Sequence, residues 1–308
     1  MPRISIVLPT YNGARYIREC IDSCLSQTFR DIELIVVVDG STDNTEEILK
    51  AYDDRRMKVI KTMNQGQAPA MNTGFAVASG EYWSWTSDDN IYVPDAFEVM
   101  ARYLDAHPEA AAVATDCLII DENGKIVGYE EYPWQCFLYR AEMGRKVGPH
   151  RPEARIIEDI DFFLRFRHLG GPVMRISAPY YHYRVHSNAV TPTRAAERPL
   201  ISLKLTYDLA SRGIVEVDLR ELFLNRMSQA SLYKNYQAID QMIAFAREVG
   251  VPFVELLERR RRFLESPIGW GINRLHIAGL SQVGKLGRKM RLWRYRAKKL
   301  LSTNETPI

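Results

Sequence analysis

Through the first 115 residues, short apolar runs alternate with helical stretches, and every run ends in a cluster of polar turn residues. That alternation is the strongest constraint on the fold. The run 4–9 (ISIVLP) reads as a buried strand ending at Pro9-Thr10-Tyr11-Asn12-Gly13. In 15–27, Tyr16, Ile17, Cys20, Ile21, Cys24 and Leu25 recur at helical spacing and make one apolar face. The run 32–38 is apolar apart from Glu33 and ends at Asp39-Gly40-Ser41, after which Thr42 or Asp43 caps a helix reaching Lys50. A strand at 58–60, a loop and a helix of small residues over 66–78, a strand at 81–86, a helix at 94–106 opened by Pro94, and a strand at 110–114 continue the series. Strands alternating with helices predict a mostly parallel sheet with right-handed crossovers. Strands this apolar are covered on both faces.

In such a sheet, ligands bind beyond the carboxyl ends of the strands. Three polar strand ends fall there: Pro9, Thr10 and Tyr11 after the first, Asp39 after the second, and Asp88-Asp89 after the fourth. Adjacent carboxylates repel each other unless a cation lies between them. Oxygen ligands suit Mg²⁺ or Mn²⁺. The plainer reading of Asp88-Asp89-Asn90 is a solvated turn, and of Asp39-Gly40-Ser41 an Asx-turn. The site is nucleotide-sized, but no GxGxxG and no GxxxxGK[ST] follows the first strand, which disfavours a dinucleotide site and a P-loop.

Taken together, Ser5-Ile-Val-Leu-Pro-Thr-Tyr-Asn12, Val38-Asp-Gly-Ser-Thr-Asp-Asn-Thr45 and Gly80-Glu-Tyr with Ser87-Asp-Asp89 resemble family 2 glycosyltransferases. The resemblance extends over roughly residues 3 to 190 and implies the GT-A fold, a Rossmann-like sheet flanked by helices. It implies that Pro9, Thr10, Tyr11 and Asp39 hold the nucleoside. Asp88 and Asp89 would form the DXD-type motif, with Asp89 on Mn²⁺ or Mg²⁺ and Asp88 on the donor. Two positions depart from the family pattern. Thr86 stands where many members have an acid, and Ala70-Met71-Asn72 stands where many have Ala-Arg-Asn. Asn72 is carried over as a donor contact, and the cationic contact is not.

Farther on, Asp121-Glu122-Asn123-Gly124 between two apolar runs predicts a hairpin over 116–128. The stretch 129–155 shows no period and reads as a long loop, in which Trp134 could stack on an acceptor sugar or simply pack on the core. Glu158 and Asp159 open an amphipathic helix, where carboxylates also complement the helix dipole. By resemblance this pair is the family's base motif, with Asp159 the base and Glu158 orienting it or the acceptor. The segment 181–188 alternates like a strand and places His182, Arg184 and His186 on one face. Its resemblance to a family strand ending Tyr-Arg-x-His implies His186 at the metal and Arg184 at the diphosphate.

Beyond residue 196 the strand signal fades, and helices are expected at 198–212, 217–247, 251–265 and 270–301. The expected division is a catalytic domain 1–196, with a nucleotide-binding half 1–115 and an acceptor half 116–196, followed by a helical region 197–308. From Ser266 to Asn304 the chain has nine Lys/Arg and no Asp/Glu, while the remainder is net acidic. Residues 285–301 form a basic amphipathic pattern that suits an anionic membrane surface or a helix packed on the body. Nucleic acid ranks last, because the body is acidic and shows no nucleic-acid motif. No apolar run approaches the roughly 18 residues of a membrane span. The start, Met1-Pro2-Arg3, shows no signal pattern, so a cytoplasmic protein, peripheral on the inner face of the membrane, is expected. The four cysteines form no CxxC pair.

The function expected is inverting transfer of a sugar from a nucleotide-diphosphate-sugar, UDP-type favoured, to a hydroxyl of a sugar or lipid-linked acceptor. Bacterial surface polysaccharide or glycolipid assembly is the expected setting. The alternatives are a sugar-nucleotide nucleotidyltransferase and a non-catalytic nucleotide-sugar-binding partner. The oligomeric state stays open, a dimer included.

Overall fold

A computed structural model describes residues 1–131, 136–189 and 195–302. The chain divides into two compact units, one comprising Met1–His186 with the chain from Arg288 on, the other Ser187–Gly287. The sequence expectation drew this boundary at 196/197.

The first unit opens with the expected alternation: β1 (Ile4–Thr10), α1 (Ile17–Leu25), β2 (Ile32–Asp39), α2 (Thr45–Lys50), β3 (Met57–Thr62), α3 (Gln67–Val77) and β4 (Tyr82–Trp85). Then come β5 (Ile91–Tyr92), α4 (Ala96–Ala106), β6 (Ala112–Ile120), β7 (Ile126–Glu130), β8 (Phe137–Arg140), α5 (Ala141–Val147), α6 (Glu158–Arg165) and β9 (Val173–Arg184). Among the described residues these strands form one sheet in the order β3-β2-β1-β4-β8-β6-β9-β5, with β7 paired to β6. β1 runs parallel to both β2 and β4, and β2 parallel to β3, as the alternation predicts. The hairpin around Asp121–Gly124 is present as the antiparallel pair β6–β7.

Both faces of the sheet are covered. Ile4, Ile6 and Leu8 of β1 pack with Ile17, Ile21 and Cys24 of α1, in a cluster that also holds Phe97 and Met100 of α4. Val7, which points to the other face, packs with Met71, Trp83, Trp85, Phe137, Tyr139, Phe162 and Phe166.

Three elements differ from expectation. The stretch 129–155 is not a plain loop: it contains β8, inserted antiparallel between β4 and β6, and α5. β8 is four residues long and mostly buried, so it carries neither length nor alternation for a pattern to detect. The strand expected from 181 starts at Val173 and stops at Arg184, so His186 lies past its end. The helix expected over 217–247 is two helices, broken where Lys234 takes φ 51° and the Asn235 side chain accepts a capping bond from the Ala238 N–H.

The second unit is helical: α7 (Arg198–Ser211), α8 (Leu219–Leu232), α9 (Tyr236–Glu248) and α10 (Val254–Glu265) enclose Leu203, Phe223, Met227, Ile239, Met242, Leu257 and Leu264. The last helix, α11 (Pro267–Ser302), begins in this unit, and its residues from Arg288 on belong to the first. There Leu292 is buried with Leu118 and Tyr129. No helix among the described residues is long and apolar enough to cross a membrane.

Candidate active site

The site is assembled at the carboxyl edge of β1, β2 and β4. Thr10 donates its hydroxyl to Asp88 Oδ2 at 2.5 Å, joining the end of β1 to the acidic pair after β4. Gly13 permits this contact. A Cβ there would lie 2.2 Å from Asp88 Oδ2 and 2.5 Å from Thr10 Oγ1. Asn12 takes φ 55° and accepts from the Thr42 N–H at 2.7 Å, while the Ala14 N–H donates to Asp43 at 3.1 Å. The loops after β1 and β2 are thereby laced together. Tyr11 is exposed at the strand end, whereas Pro9 is buried within β1 opposite Val37.

Asp39 is buried and accepts from the Thr62 hydroxyl at 3.0 Å, the Gln65 N–H at 3.0 Å and the Gly66 N–H at 2.8 Å. It orders the turn after β3, and a base or ribose would meet a carboxylate already held by three donors. Asn72 is likewise occupied: its amide exchanges two 2.8 Å hydrogen bonds with the backbone N–H and C=O of His150.

Both acids are shifted upward. Burial and the charge of Asp89 push the Asp88 carboxyl up to about 7, against the hydrogen bond from Thr10. Burial also raises Asp89, against the contact with His186, whose Nε2 lies 3.0 Å from Asp89 Oδ2. Asp89 Oδ1 and His186 Nδ1 are buried with no hydrogen-bond partner among the described residues. Buried oxygens rarely stay unsatisfied, and an acid pair raised in this way is relieved by a cation. Among the described residues no group of three or more His, Cys, Asp or Glu is arranged around one point. The protein therefore offers Asp89 and His186, a set that fits an ion drawing its other ligands from water and substrate oxygens, as Mg²⁺ and Mn²⁺ do.

Arg184, expected at the diphosphate, is buried beside Asp89. Its side chain is 1% exposed. Nε donates to the Asp89 carbonyl at 2.9 Å, Nη1 reaches the Asp121 and Glu122 carbonyls at 3.4 Å each, and Nη2 meets the Glu19 carboxylate at 2.7 Å. The guanidinium sits 4.4 Å from the Tyr16 ring centroid, and that ring lies 5.2 Å from His186. Arg184 thus ties α1, the β6–β7 turn and Asp89 together. His182 pairs in register with Ile91.

α6 begins at Glu158, two residues after Ile156, whose φ of 78° is strained for a β-branched residue. Glu158 is buried, while Asp159 is half-buried and accepts from the Ile160 N–H at 2.8 Å. One turn on, Phe162 meets Trp85 of β4 edge-on, ring centroids 5.4 Å apart. This packing fixes the start of α6 against the strand that leads into Asp88-Asp89. Trp134 lies outside the described residues.

Sequence reasoning missed the network that holds α6. Asp161 is fully buried between Arg151 and Arg165, and Arg165 also donates to the Val147 and Pro149 carbonyls at 3.0 and 2.9 Å. His150, in the same loop, stacks on Phe162 at 4.3 Å; burial and the Arg165 charge push its imidazole down to about 3. The i,i+4 spacing of Asp161 and Arg165 was the one readable signal.

A family model described as "Glycosyl transferase family 2" matches residues 5–159. The chain is 48% identical over 97 residues to an uncharacterized glycosyltransferase of Rickettsia typhi, a match covering 32% of this chain and 30% of that protein, so it spans under a third of that relative. It is 30% identical over 222 residues to the putative glycosyltransferase EpsH of Bacillus subtilis, 61% of this chain and 62% of that one. It is 34% identical over 139 residues to a chondroitin synthase of Pasteurella multocida, 44% of this chain and 14% of the other. Among solved structures, S. aureus TarS 1-349 in complex with UDP superposes with TM-score 0.57 at 19% identity, covering 88% of this chain and 92% of that one. The mannosyltransferase PcManGT from Pyrobaculum calidifontis, in complex with GDP-Man and Mn²⁺, gives 0.57 at 16% identity, covering 94% and 87%. At such identities the likeness is one of fold.

Proposed function

The chain belongs to glycosyl transferase family 2, and on that footing we propose that it moves a sugar from a nucleotide-diphosphate-sugar to an acceptor hydroxyl with inversion. The observation that carries this reading is Asp89: its Oδ1 is buried without a partner among the described residues, between the raised acid Asp88 and His186. An Mn²⁺ or Mg²⁺ ion held by Asp89 and His186 would neutralise the diphosphate as it leaves. Thr10, Tyr11 and Asp88 line the nucleoside and ribose side, with Pro9 and Asp39 shaping its wall and Asn72 fixing the neighbouring loop. Asp159 accepts the proton of the acceptor hydroxyl as its oxygen attacks the anomeric carbon from the face opposite the diphosphate. The bond to the diphosphate breaks, its electron pair leaves with the nucleoside diphosphate, and a single displacement inverts the centre. Glu158 holds Asp159 or the acceptor in place, and Trp134 is assigned to acceptor stacking. Catalysis belongs to 1–196, with 197–308 appended.

A UDP-type donor is favoured because one structure of the same fold, S. aureus TarS, is described with UDP and another with UDP-GlcNAc. Polysaccharide assembly as the setting is supported by the likeness to a chondroitin synthase.

Thermal unfolding against a panel of nucleotide-sugars, each with and without Mn²⁺, tests the reading. A donor at about 100 times its dissociation constant stabilises the native state by roughly 2.7 kcal/mol. Asp159→Asn should keep that shift and lose transfer. Stabilisation by nucleoside triphosphates alone, or unimpaired transfer by Asp159→Asn, would overturn it.

A further inference from the structure

Over residues 287–296 the last helix has two faces, and among the described residues one of them packs on the first unit. Leu292 is 7% exposed against Leu118 and Tyr129, and Tyr295 stacks on Tyr129 with ring centroids 5.2 Å apart. Arg291 reaches the Tyr129 carbonyl and the Glu130 carboxylate, both at 3.4 Å, and Arg288 lies 4.0 Å from Glu130. These contacts account for the inner face and for two of its cations.

The outer face is built differently. Met290 is 51% exposed and Trp293 71% exposed. At about 100° per residue they lie side by side, with Lys289 and Arg296 flanking one edge, Arg294 the other, and Tyr295 nearly opposite. Lys289, Arg294 and Arg296 are exposed and have no ion pair with any described residue. No Asp or Glu lies between Ser266 and Asn304 to supply one. At the same spacing the sequence continues with Leu286, Ala297 and Leu300.

We propose that this outer face, centred on Met290 and Trp293, binds an anionic lipid surface. An exposed indole and thioether are costly in water and at home at the headgroup boundary, where an indole can bury its ring and keep its N–H wet. Unpaired cations along both edges meet the negative potential of the leaflet. A nucleic acid would use the cations but leave Trp293 and Met290 without a role unless its bases were unstacked, and the rest of the chain carries excess acid.

The docked face gives the surface a consequence. It holds β7, and the turn of the β6–β7 hairpin is what Arg184 and Tyr16 grip at the candidate active site. A lipid surface on the outer face of α11 would lie one helix away from the hairpin whose turn Arg184 links to Asp89, which points to an acceptor carried on a lipid. That last step rests on the transferase reading; lipid binding itself does not.

Cosedimentation of the full chain with vesicles of pure phosphatidylcholine, and of phosphatidylcholine with 30% phosphatidylglycerol, tests the proposal. Binding is expected to the anionic vesicles alone and should weaken as salt rises. Met290→Ser with Trp293→Ser should lower it at least tenfold, and each of Lys289→Gln, Arg294→Gln and Arg296→Gln about fivefold. Thermal stability should be unchanged in these variants, because none of the five residues is docked. The proposal is overturned if anionic vesicles are not bound, if the double variant binds them as before, or if the chain prefers RNA to them. Donor-induced stabilisation is measured without lipid, so failure here leaves the transferase reading standing, and the reverse.

Discussion

Replacing Arg184 with Met separates two roles for that side chain. The structure makes it a support, with a guanidinium that is 1% exposed and spent on Asp89, Asp121, Glu122 and Glu19. Met keeps much of the stem but loses the guanidinium that sits over the Tyr16 ring. The hydrogen bonds to Asp89 and Glu19 are short, and a bond from a charged donor is worth about 1.5–3 kcal/mol. The two contacts at 3.4 Å add little. Glu19 is 55% exposed, so it returns to water cheaply, whereas the Asp89 carbonyl is left without its donor. The expected loss is about 2–4 kcal/mol of unfolding free energy, below the roughly 3–5 kcal/mol of a broken buried pair because the buried charge leaves with the side chain. Glu19→Gln keeps an acceptor for Nη2 but removes the carboxylate paired with a buried guanidinium, and should cost about 1–3 kcal/mol. Arg184 also lowers the Asp89 carboxyl, so Arg184→Met should raise it and weaken any Mn²⁺-dependent stabilisation by nucleoside diphosphate. Urea unfolding at pH 7, with and without Mn²⁺ and nucleoside diphosphate, reads both effects. A variant as stable as the parent that no longer responds to nucleoside diphosphate would refute the reasoning and restore Arg184 as a direct diphosphate contact. A variant unchanged in both would remove it from the site altogether.

Other expectations concern the supports around the two carboxylate groups. Gly13→Ala would set a Cβ 2.2 Å from Asp88 Oδ2; it should part Thr10 from Asp88 and abolish donor-induced stabilisation while circular dichroism shows an intact fold. Asp161→Asn removes the carboxylate that faces the buried Arg165 at 3.0 Å and should cost about 3–5 kcal/mol in urea unfolding; a cost under 1 kcal/mol would mean that the pair is solvated. His150 is held neutral with its imidazole pushed down to about 3 from 6.5. The unfolded chain therefore takes up a proton as pH falls below 6.5 that the folded chain refuses, and stability is lost over that interval. At pH 5 this amounts to about 2 kcal/mol. His150→Phe, stacked between Phe75 and Phe162, should gain stability relative to the parent at pH 5 but not at pH 8; an equal difference at both pH values would refute the titration argument.

Much of the fold was legible because its signals are local. β1, β2 and β4 are runs whose residues are apolar almost throughout, so the sequence alone shows that they are covered on both faces, and their alternation with helices shows the parallel pairing of β1 with β2 and β4. Asp121-Glu122-Asn123-Gly124 marks its own hairpin, and Asp88-Asp89 marks the end of its own strand. β8 was hidden because four residues covered by a neighbouring strand on each side leave no alternation to read. The break at Lys234 was hidden because apolar spacing continues across it from one helix to the next.

The site divides in the same way. Which residue types gather at the strand ends follows from the sequence, since each sits where its own strand stops. What each side chain is free to do was decided only by tertiary structure. Asp39 is committed to Gln65 and Gly66, Asn72 to His150, and Arg184 to Glu19, 165 positions away. A buried polar group takes whichever donor or acceptor folding brings within about 3 Å, because leaving it unpaired costs more than any local preference is worth. That choice depends on chain segments far apart in sequence, and so no local pattern records it.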